Sequence, residues 1–462
     1  MEEPKMGRYF GTDGFRGEAG VSLTSEHAYK IGRFLGWYYA KEKGGKVTAV
    51  IGKDTRRSSY MLEYAIAAGL AASGAGAYML HVTTTPSVSY ATGDGFDFGI
   101  MISASHNPYY DNGIKIVNSR GEKIDDSFIE KIELYLDGRL SELGVEGDDI
   151  PYATGSAVGE IVDYFAGRNR YIGYLISLSR HSFKNLRIGL DCANGGAWMI
   201  AKSVFDALGA KTYTINASPD GLNINENAGS THIEGLCRYV KENNLDMGFA
   251  FDGDADRCLA VDENGEVVNG DHILYILGMW LKKNGELNNN TIVTTVMSNL
   301  GLYNALDREG IKYEQTTVGD RYVYENMQEN GHSIGGEQSG HIILSKYATT
   351  GDGILTALKL TEAVIEAKST LGTLASAVKM LPQVMLNIRV GDKAKVRANA
   401  AVAAAVDKAR ASLGKSGRIL LRESGTEPVM RVMVEAESAD LCRTLAEGVI
   451  DVIRKEGLAS EK

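Results

Sequence analysis

The feature that most constrains this chain is an alternation. Short apolar runs end in polar or glycine-rich turns and give way to helical patterns. Lys46–Ile51 reads as a strand leaving through Gly52-Lys53-Asp54-Thr55-Arg56, with Ala65–Ala72 as a following helix. Phe98–Ile102 reads as a strand entering Ser103-Ala104-Ser105-His106-Asn107-Pro108. Leu186–Leu190 enters Asp191-Cys192-Ala193-Asn194-Gly195-Gly196, and a helix runs from there to Leu208. Met247–Phe251 enters Asp252-Gly253-Asp254, and Ile292–Val296 enters Met297-Ser298-Asn299. Strands alternating with helices build layered α/β domains with parallel or mixed sheets. The unit recurs without a fixed-period repeat. The end of the chain differs: strand Met385–Val390, an Ala-rich helix near Asn399–Leu413, strands Arg418–Arg422 and Val429–Glu435, then helix Ala439–Lys455. The expected fold class is therefore α/β, three similar α/β domains with mixed sheets plus a C-terminal α+β domain. Their expected bounds are 1–155, 156–257, 258–372 and 373–462.

Charge narrows the function. Lys and Arg number 49 against 59 Asp and Glu, a net −10. That argues against general binding to nucleic acid or an anionic membrane, which needs a basic surface. An anionic small substrate stays open if its site is locally cationic. The four cysteines, Cys192, Cys237, Cys258 and Cys442, form no CxxC pair and read as reduced thiols of a cytoplasmic protein. The N-terminus has neither a basic nor an apolar leader region. Ala65–Leu80 is short for a membrane span, so it reads as a buried helix, a turn and a strand.

Five loops can carry chemistry. In Asp252-Gly253-Asp254-Ala255-Asp256-Arg257, three alternate carboxylates between core-like strands can converge on one hard cation. A solvated acidic turn is the plainer reading, but these flanks are apolar. An EF-hand is excluded, because Arg257 stands at the sixth loop position where glycine is required. In the second loop, Ser105 ends a buried strand as a nucleophile or phosphate carrier, or as an ordinary turn residue. No G-x-S-x-G elbow is present. His106 is badly placed as its base, and Lys115 reads as a proton-transfer group or a surface charge. In Gly335-Gly336-Glu337-Gln338-Ser339-Gly340-His341, a carboxylate, a hydroxyl and an imidazole suit sugar hydroxyls. The same segment reads equally as a turn around a satisfied core histidine. Arg422-Glu423-Ser424-Gly425-Thr426-Glu427-Pro428 with Arg431 suits a terminal phosphate, and is also a hairpin turn. Gly11-Thr12-Asp13-Gly14-Phe15-Arg16-Gly17 is a weak glycine-rich turn. Neither a Walker A nor a G-x-G-x-x-G motif occurs, so nucleotide binding has no support.

Taken together and in this order, the loops resemble those of the α-D-phosphohexomutase superfamily, over nearly the whole chain. The resemblance implies four domains around a central cleft. It implies that Ser105 carries a phosphoryl group. It assigns Asp252, Asp254 and Asp256, with the phosphoserine, to one Mg²⁺. Glu337 and Ser339 would bind sugar hydroxyls, and Arg422, Ser424, Gly425, Thr426 and Arg431 the non-reacting phosphate. The glucosamine-phosphate branch commonly reads GTDG-aliphatic-RG, VGDRYV, GEQSGH and TTGDG. Here stand Gly11–Gly17 with Phe15 in the aliphatic place, Val318–Val323, Gly336–His341 and Thr349–Gly353. Ala255 replaces the common Gly of DGDGDR. The glucose and mannose branch more often shows GEMSGH and a His where Asp320 stands, so Asp320 and Arg321 join the substrate-binding set.

The implied reaction moves phosphate between O6 and O1 of an aminosugar through a phosphoserine enzyme and a bisphosphate, with a sugar bisphosphate as primer. Arg16, Lys115 and Arg257 would supply cationic help, and Lys115 or His341 proton transfer. Phosphoryl transfer rests on positioning and charge stabilisation. The alternatives are a glucose or mannose phosphate mutase, a non-catalytic sugar-phosphate binder, and a metal-dependent phosphatase. A homodimer is what the resemblance implies for assembly.

Overall fold

The computed structural model describes residues 7–11, 13–424 and 428–460. Two compact units emerge. One comprises Met1–Met297 and Lys312–Ser376, the other Ser298–Ile311 and Ala377–Lys462.

The larger unit holds three sheets. The first contains β1 (Phe10–Gly11), β2 (Gly14–Glu18), β3 (Thr48–Lys53), β4 (Gly76–Val82), β5 (Phe98–Ile102), β6 (Asp111–Asn118) and β7 (Ile161–Asp163). Its order is β1-β2-β6-β5-β3-β4-β7. β3 runs parallel to β4 and β5, while β5 and β6 are antiparallel. Every residue of β5 is buried, as a strand covered by helices on both faces demands. The second sheet contains β8 (Arg187–Asp191), β9 (Lys211–Ile215), β10 (Met247–Phe251), β11 (Cys258–Val261) and β12 (Val267–Val268), in the order β12-β11-β10-β8-β9. The third contains β13 (Thr291–Thr295), β14 (Lys312–Thr316), β15 (Ile334–Gly336) and β16 (Ile342–Leu344), in the order β14-β13-β15-β16.

The three sheets share one plan. A parallel core gives way to an antiparallel pair: β5–β6, β10–β11 and β15–β16. The serine, aspartate and Gly336–His341 loops each connect such a pair, beyond the carboxyl end of a central strand. That is where open α/β sheets bind ligands.

The smaller unit holds β17 (Gln383–Arg389), β18 (Arg418–Glu423) and β19 (Val429–Glu435), ordered β17-β19-β18 and wholly antiparallel. Helices Ala400–Leu413 and Ala439–Lys455 share with this sheet a core of Val402, Leu413, Val432, Val434, Cys442, Val449 and Ile453. Helix Leu300–Arg308 belongs here because buried Glu435 accepts the Leu300 N–H at 2.9 Å. The Arg418 Nε donates to the same carboxylate at 2.7 Å.

Several bounds shift from those read in the sequence. The first βα strand ends at Lys53, because this lysine is buried and continues the ladder to Ile102 and Val82. Its helix begins at Arg57, through polar and aromatic turns that an apolar run does not reveal. All four cysteines are free. Among the described residues, no helix is long and apolar enough to cross a membrane.

Candidate active site

Five-residue β10, fully buried, delivers Asp252 at its end. The turn that follows puts Ala255 in the left-handed region at φ +56°. This folds Asp252, Asp254 and Asp256 inward until one oxygen of each lies within 4.8 Å of the others, all three residues buried. Gly253 is needed here: a Cβ would sit 2.5 Å from the Ser105 carbonyl oxygen. Ser105 itself is left-handed at φ +52°, and its hydroxyl donates to Asp252 Oδ2 at 2.5 Å.

Charge in this loop is unbalanced. Burial, then Asp256 and Asp254, push the Asp252 carboxyl well above the ordinary carboxylate range. Asp254 Oδ1 and Asp256 Oδ1 are buried without a hydrogen-bond partner. Three converging carboxylates with orphaned oxygens fit a hard divalent cation.

Lys115, on β6, is the main internal counterion. Its Nζ lies 2.8 Å from Asp254, 3.5 Å from Asp256 and 3.4 Å from Asp13. Burial opposes its charge, but these carboxylates outweigh burial and hold it as an ammonium. Thr85, at the start of a helix following β4, donates its hydroxyl to Asp254 at 2.6 Å. The Arg257 Nε approaches Asp256 at 3.9 Å, and Arg16 pairs with Asp13. His106 Nδ1 comes within 3.5 Å of Ser105 Oγ. Burial, then Arg257 and Arg16, depress that imidazole to about 4, so it is a poor base.

The network continues into the third sheet. Lys123 bridges Asp13 at 3.0 Å and Asp320 at 2.7 Å. His341 places Nε2 3.4 Å from Asp320 and Nδ1 3.8 Å from Asp256. Burial disfavours its charge, yet Asp320, Asp256 and Glu337 push the ring up to about 9. The Gly351 N–H points at Nε2 at 3.0 Å, which requires a lone pair there. That contact puts the proton of the neutral ring on Nδ1 and opposes the carboxylates. Glu337 accepts the Gly319 N–H at 3.1 Å, and Ser339 Oγ is buried without a partner. Arg321 turns elsewhere, to Asp126 and, at 2.8 Å, to Glu325. A cavity of about 530 Å³ lies beside Lys123, Asp320, Arg321, Tyr324 and Thr350.

In the smaller unit, Arg422 on β18 stands directly opposite Arg431 on β19. Arg431 donates to Ser424 Oγ at 3.2 Å, and Lys393 to the Ser424 carbonyl at 2.7 Å. Burial, then Arg431, lower the pKa of Arg422, whose Nε is buried without a partner. Like charges opposed across a ladder repel unless an anion joins them. Gly425 and Thr426 lie outside the described residues.

The larger unit thus brings together Ser105, Lys115, His341, Asp252, Asp254, Asp256, Arg257 and Asp320. Asp13, Thr85 and Lys123 were not singled out from sequence. Asp13 sits in a motif already noted, and Lys123 follows the strand carrying Lys115, but their mutual contacts have no local signature.

Comparison with known proteins agrees. Four domain families match in order. Phosphoglucomutase/phosphomannomutase, alpha/beta/alpha domains I, II and III, match residues 7–140, 169–265 and 269–381. The C-terminal domain of the same family matches 385–452. A solved Burkholderia thailandensis phosphoglucomutase/phosphomannomutase family protein superposes with TM-score 0.78 at 23% identity, covering 97% of each chain. The Aspergillus fumigatus N-acetylphosphoglucosamine mutase, solved with GlcNAc-6P and magnesium, gives 0.70 at 19% identity, covering 98% of this chain and 96% of its own. These two likenesses concern the fold. Closer in sequence are proteins named phosphoglucosamine mutase. That of Lachnospira eligens is 64% identical, covering 98% of this chain and 100% of its own. That of Bacillus subtilis is 46% identical, covering 98% and 99%. The chain belongs to the phosphoglucomutase/phosphomannomutase family and is a phosphohexomutase, an isomerase.

Proposed function

We infer that the chain interconverts glucosamine-6-phosphate and glucosamine-1-phosphate, as a phosphoglucosamine mutase. The observation that carries the substrate is the identity, over nearly the full chain, to relatives bearing that name. The observation that supports the chemistry is the Ser105 hydroxyl held against three converging buried carboxylates.

In the proposed cycle, the phosphorus–oxygen bond of phospho-Ser105 breaks as a free sugar hydroxyl forms its own bond to phosphorus, and the hydroxyl proton ends on the freed Ser105 oxygen. The product is a sugar bisphosphate. It reorients, and Ser105 Oγ takes back the other phosphate, returning a proton to the sugar oxygen. Lys115, held as an ammonium, and His341 supply protons to the departing oxygens, while Arg16 and Arg257 offset anionic charge. Glu337, Ser339 and Asp320 bind the sugar side, and Arg321 joins them on leaving Asp126 and Glu325. Arg422, Ser424, Gly425, Thr426 and Arg431 anchor the phosphate that is not reacting. Asp252, Asp254 and Asp256 would hold Mg²⁺, which when bound neutralises charge on a transferring phosphoryl group. A sugar bisphosphate primes the enzyme. The four-domain division near residues 155, 257 and 372, a cytoplasmic location and a homodimer complete this reading. Sedimentation of the purified chain checks the dimer.

The test compares kcat/KM for glucosamine-6-phosphate and glucose-6-phosphate, with Mg²⁺ and a trace of bisphosphate. A strong preference for the amino sugar is expected. Equal or reversed preference moves the chain to the glucose or mannose branch and leaves the mutase chemistry standing. Continuous release of inorganic phosphate would make it a phosphatase instead.

A further inference from the structure

Two side chains with no part in that cycle meet behind the serine loop. Arg56 closes the polar exit of β3, and Asn225 comes from the connection between β9 and β10. Both are buried. Arg56 Nη2 donates to the carbonyl oxygens of Ser105 at 3.2 Å and Asn107 at 2.6 Å. Asn225 Nδ2 donates to the same two carbonyls, at 2.9 and 3.0 Å. The guanidinium also reaches Ser103 Oγ at 3.4 Å and the Pro108 carbonyl at 3.5 Å. Each clamp is itself held. Arg56 pairs with buried Asp54, whose Oδ1 accepts the Arg56 N–H at 2.9 Å. The Asn225 N–H donates to the Ala193 carbonyl at 2.9 Å.

What they hold is strained. Ser105 adopts a left-handed backbone that L-residues seldom take. Its N–H is held by Ser103 Oγ at 2.9 Å, and its carbonyl by the two donors behind. Both polar ends of the residue are thus fixed from outside, and its hydroxyl donates to Asp252 Oδ2 at 2.5 Å. Strain of this kind persists only where surrounding structure over-determines it, and it clusters at functional sites.

We propose that Arg56 and Asn225 are positioning residues for phosphoryl transfer, clamping the Ser105 and Asn107 carbonyls so that Ser105 Oγ is aimed in line. Neither touches the hydroxyl. The proposal rests on the reading of Ser105 as phosphoryl carrier. It assigns a purpose to the Gly52–Arg56 turn and to a loop of the second sheet. The planar fork matters at position 56, because a lysine ammonium cannot reach two carbonyls and a hydroxyl in one plane.

The experiment uses the full chain with Mg²⁺ and glucose 1,6-bisphosphate as phosphoryl donor. Intact mass after rapid quench gives the rate of phosphate incorporation. Steady-state turnover of glucosamine-6-phosphate gives kcat and KM, and thermal melting gives folding. Asn225→Asp puts an acceptor where the donor stood, in the same shape. The expected result is a drop of about 10²-fold in both incorporation rate and kcat, the scale of an ångström-level misplacement. KM and the Mg²⁺-induced rise in Tm stay as in the wild type. Asn225→Ala carries the same test should Asn225→Asp not fold, and Arg56→Lys is expected to lose kcat in the same way. A folded Asn225→Asp or Asn225→Ala enzyme that incorporates phosphate and turns over at wild-type rates overturns the clamp. So does an equal effect on KM alone. Ser105→Ala separates the two readings: phosphate uptake by that variant would remove Ser105 as carrier, whatever the clamp variants do.

Discussion

Asp252, Asp254 and Asp256 lie so close that their charges define what the loop can be. Lys115 supplies one positive charge, and burial raises the penalty on every carboxylate left uncompensated. Removing that lysine strands charges in a dry place, where breaking a buried pair costs about 3–5 kcal/mol. Lys115→Met is therefore expected to lose about that much stability without divalent cations in urea titration, and to recover part of it with Mg²⁺. A variant as stable as the wild type without cation would mean that Asp13, Asp254 and Asp256 do not depend on Lys115. Asp252 behaves oppositely. Its folded carboxyl titrates above its unfolded value, so its contribution is full below the ordinary carboxylate range, about pH 4, and is lost as pH rises through the folded value. Asp252→Asn removes this loss. Near neutral pH the cation-free variant is expected to match or exceed the wild type. Yet it should forfeit most of the cation-linked gain, about 2.7 kcal/mol at a hundredfold excess over Kd. Melting curves with and without Mg²⁺ decide both signs.

At the scale of elements, the same device recurs: a hairpin whose loop sits beyond a buried strand. The third-sheet version is extended by the helix Gly353–Ala367, capped by Asp352. Asp352 Oδ1 accepts the Leu355 N–H at 2.9 Å and Oδ2 accepts the Tyr171 hydroxyl at 2.7 Å. Burial still dominates and raises the carboxyl from 3.8 to about 6. The sign follows: the contribution is complete below pH 3.8, fades between 3.8 and about 6, and is gone above, a difference of about 3 kcal/mol. Asn caps a helix as well as Asp and carries no charge. Asp352→Asn should thus flatten the stability–pH curve over that window and be the more stable form at pH 7. An unchanged pH slope would show that Asp352 does not titrate there. Much at this scale was legible. Phe98–Ile102, Met247–Phe251, Val429–Glu435 and Ala439–Lys455 fall where apolar runs meet turn residues. The helix start at Arg57 was not, because its first turns are polar. Nor was the clamp on Ser105, because Arg56 and Asn225 act across 49 and 120 residues of chain. Periodicity and motif report what is local, whereas those hydrogen bonds exist only once β3, β5 and β9 are in their sheets.

For the whole molecule, the question is how a chain of net −10 holds a substrate that is itself anionic. Positive charge is gathered locally against an acidic whole. On the proposed reading Arg16, Lys115 and Arg257 do this in the larger unit, Lys115 while paired with Asp254, Asp256 and Asp13. In the smaller, Arg422 and Arg431 face each other across a ladder, with Lys393 beside the loop. That opposed pair is unfavourable by about 0.2–1 kcal/mol when nothing lies between its members. A terminal phosphate would turn the repulsion into charge-assisted hydrogen bonds worth about 1.5–3 kcal/mol each. Arg422→Met is then expected to leave the ligand-free melting temperature unchanged or slightly raised, because it relieves the repulsion. It should raise KM about 10- to 100-fold for either sugar monophosphate, because one end of the substrate is a phosphate in both directions. The kcat should fall less than kcat/KM, since the anchored group does not react. Inorganic phosphate should raise the melting temperature of the smaller unit in the wild type and not in the variant. A variant that melts lower and binds substrate normally would reduce Arg422 to a strand residue and leave Arg431 and Lys393 to hold the phosphate. A rise in KM without any change in ligand-free stability or kcat would assign Arg422 to the phosphate of the bound substrate rather than to the strand pair.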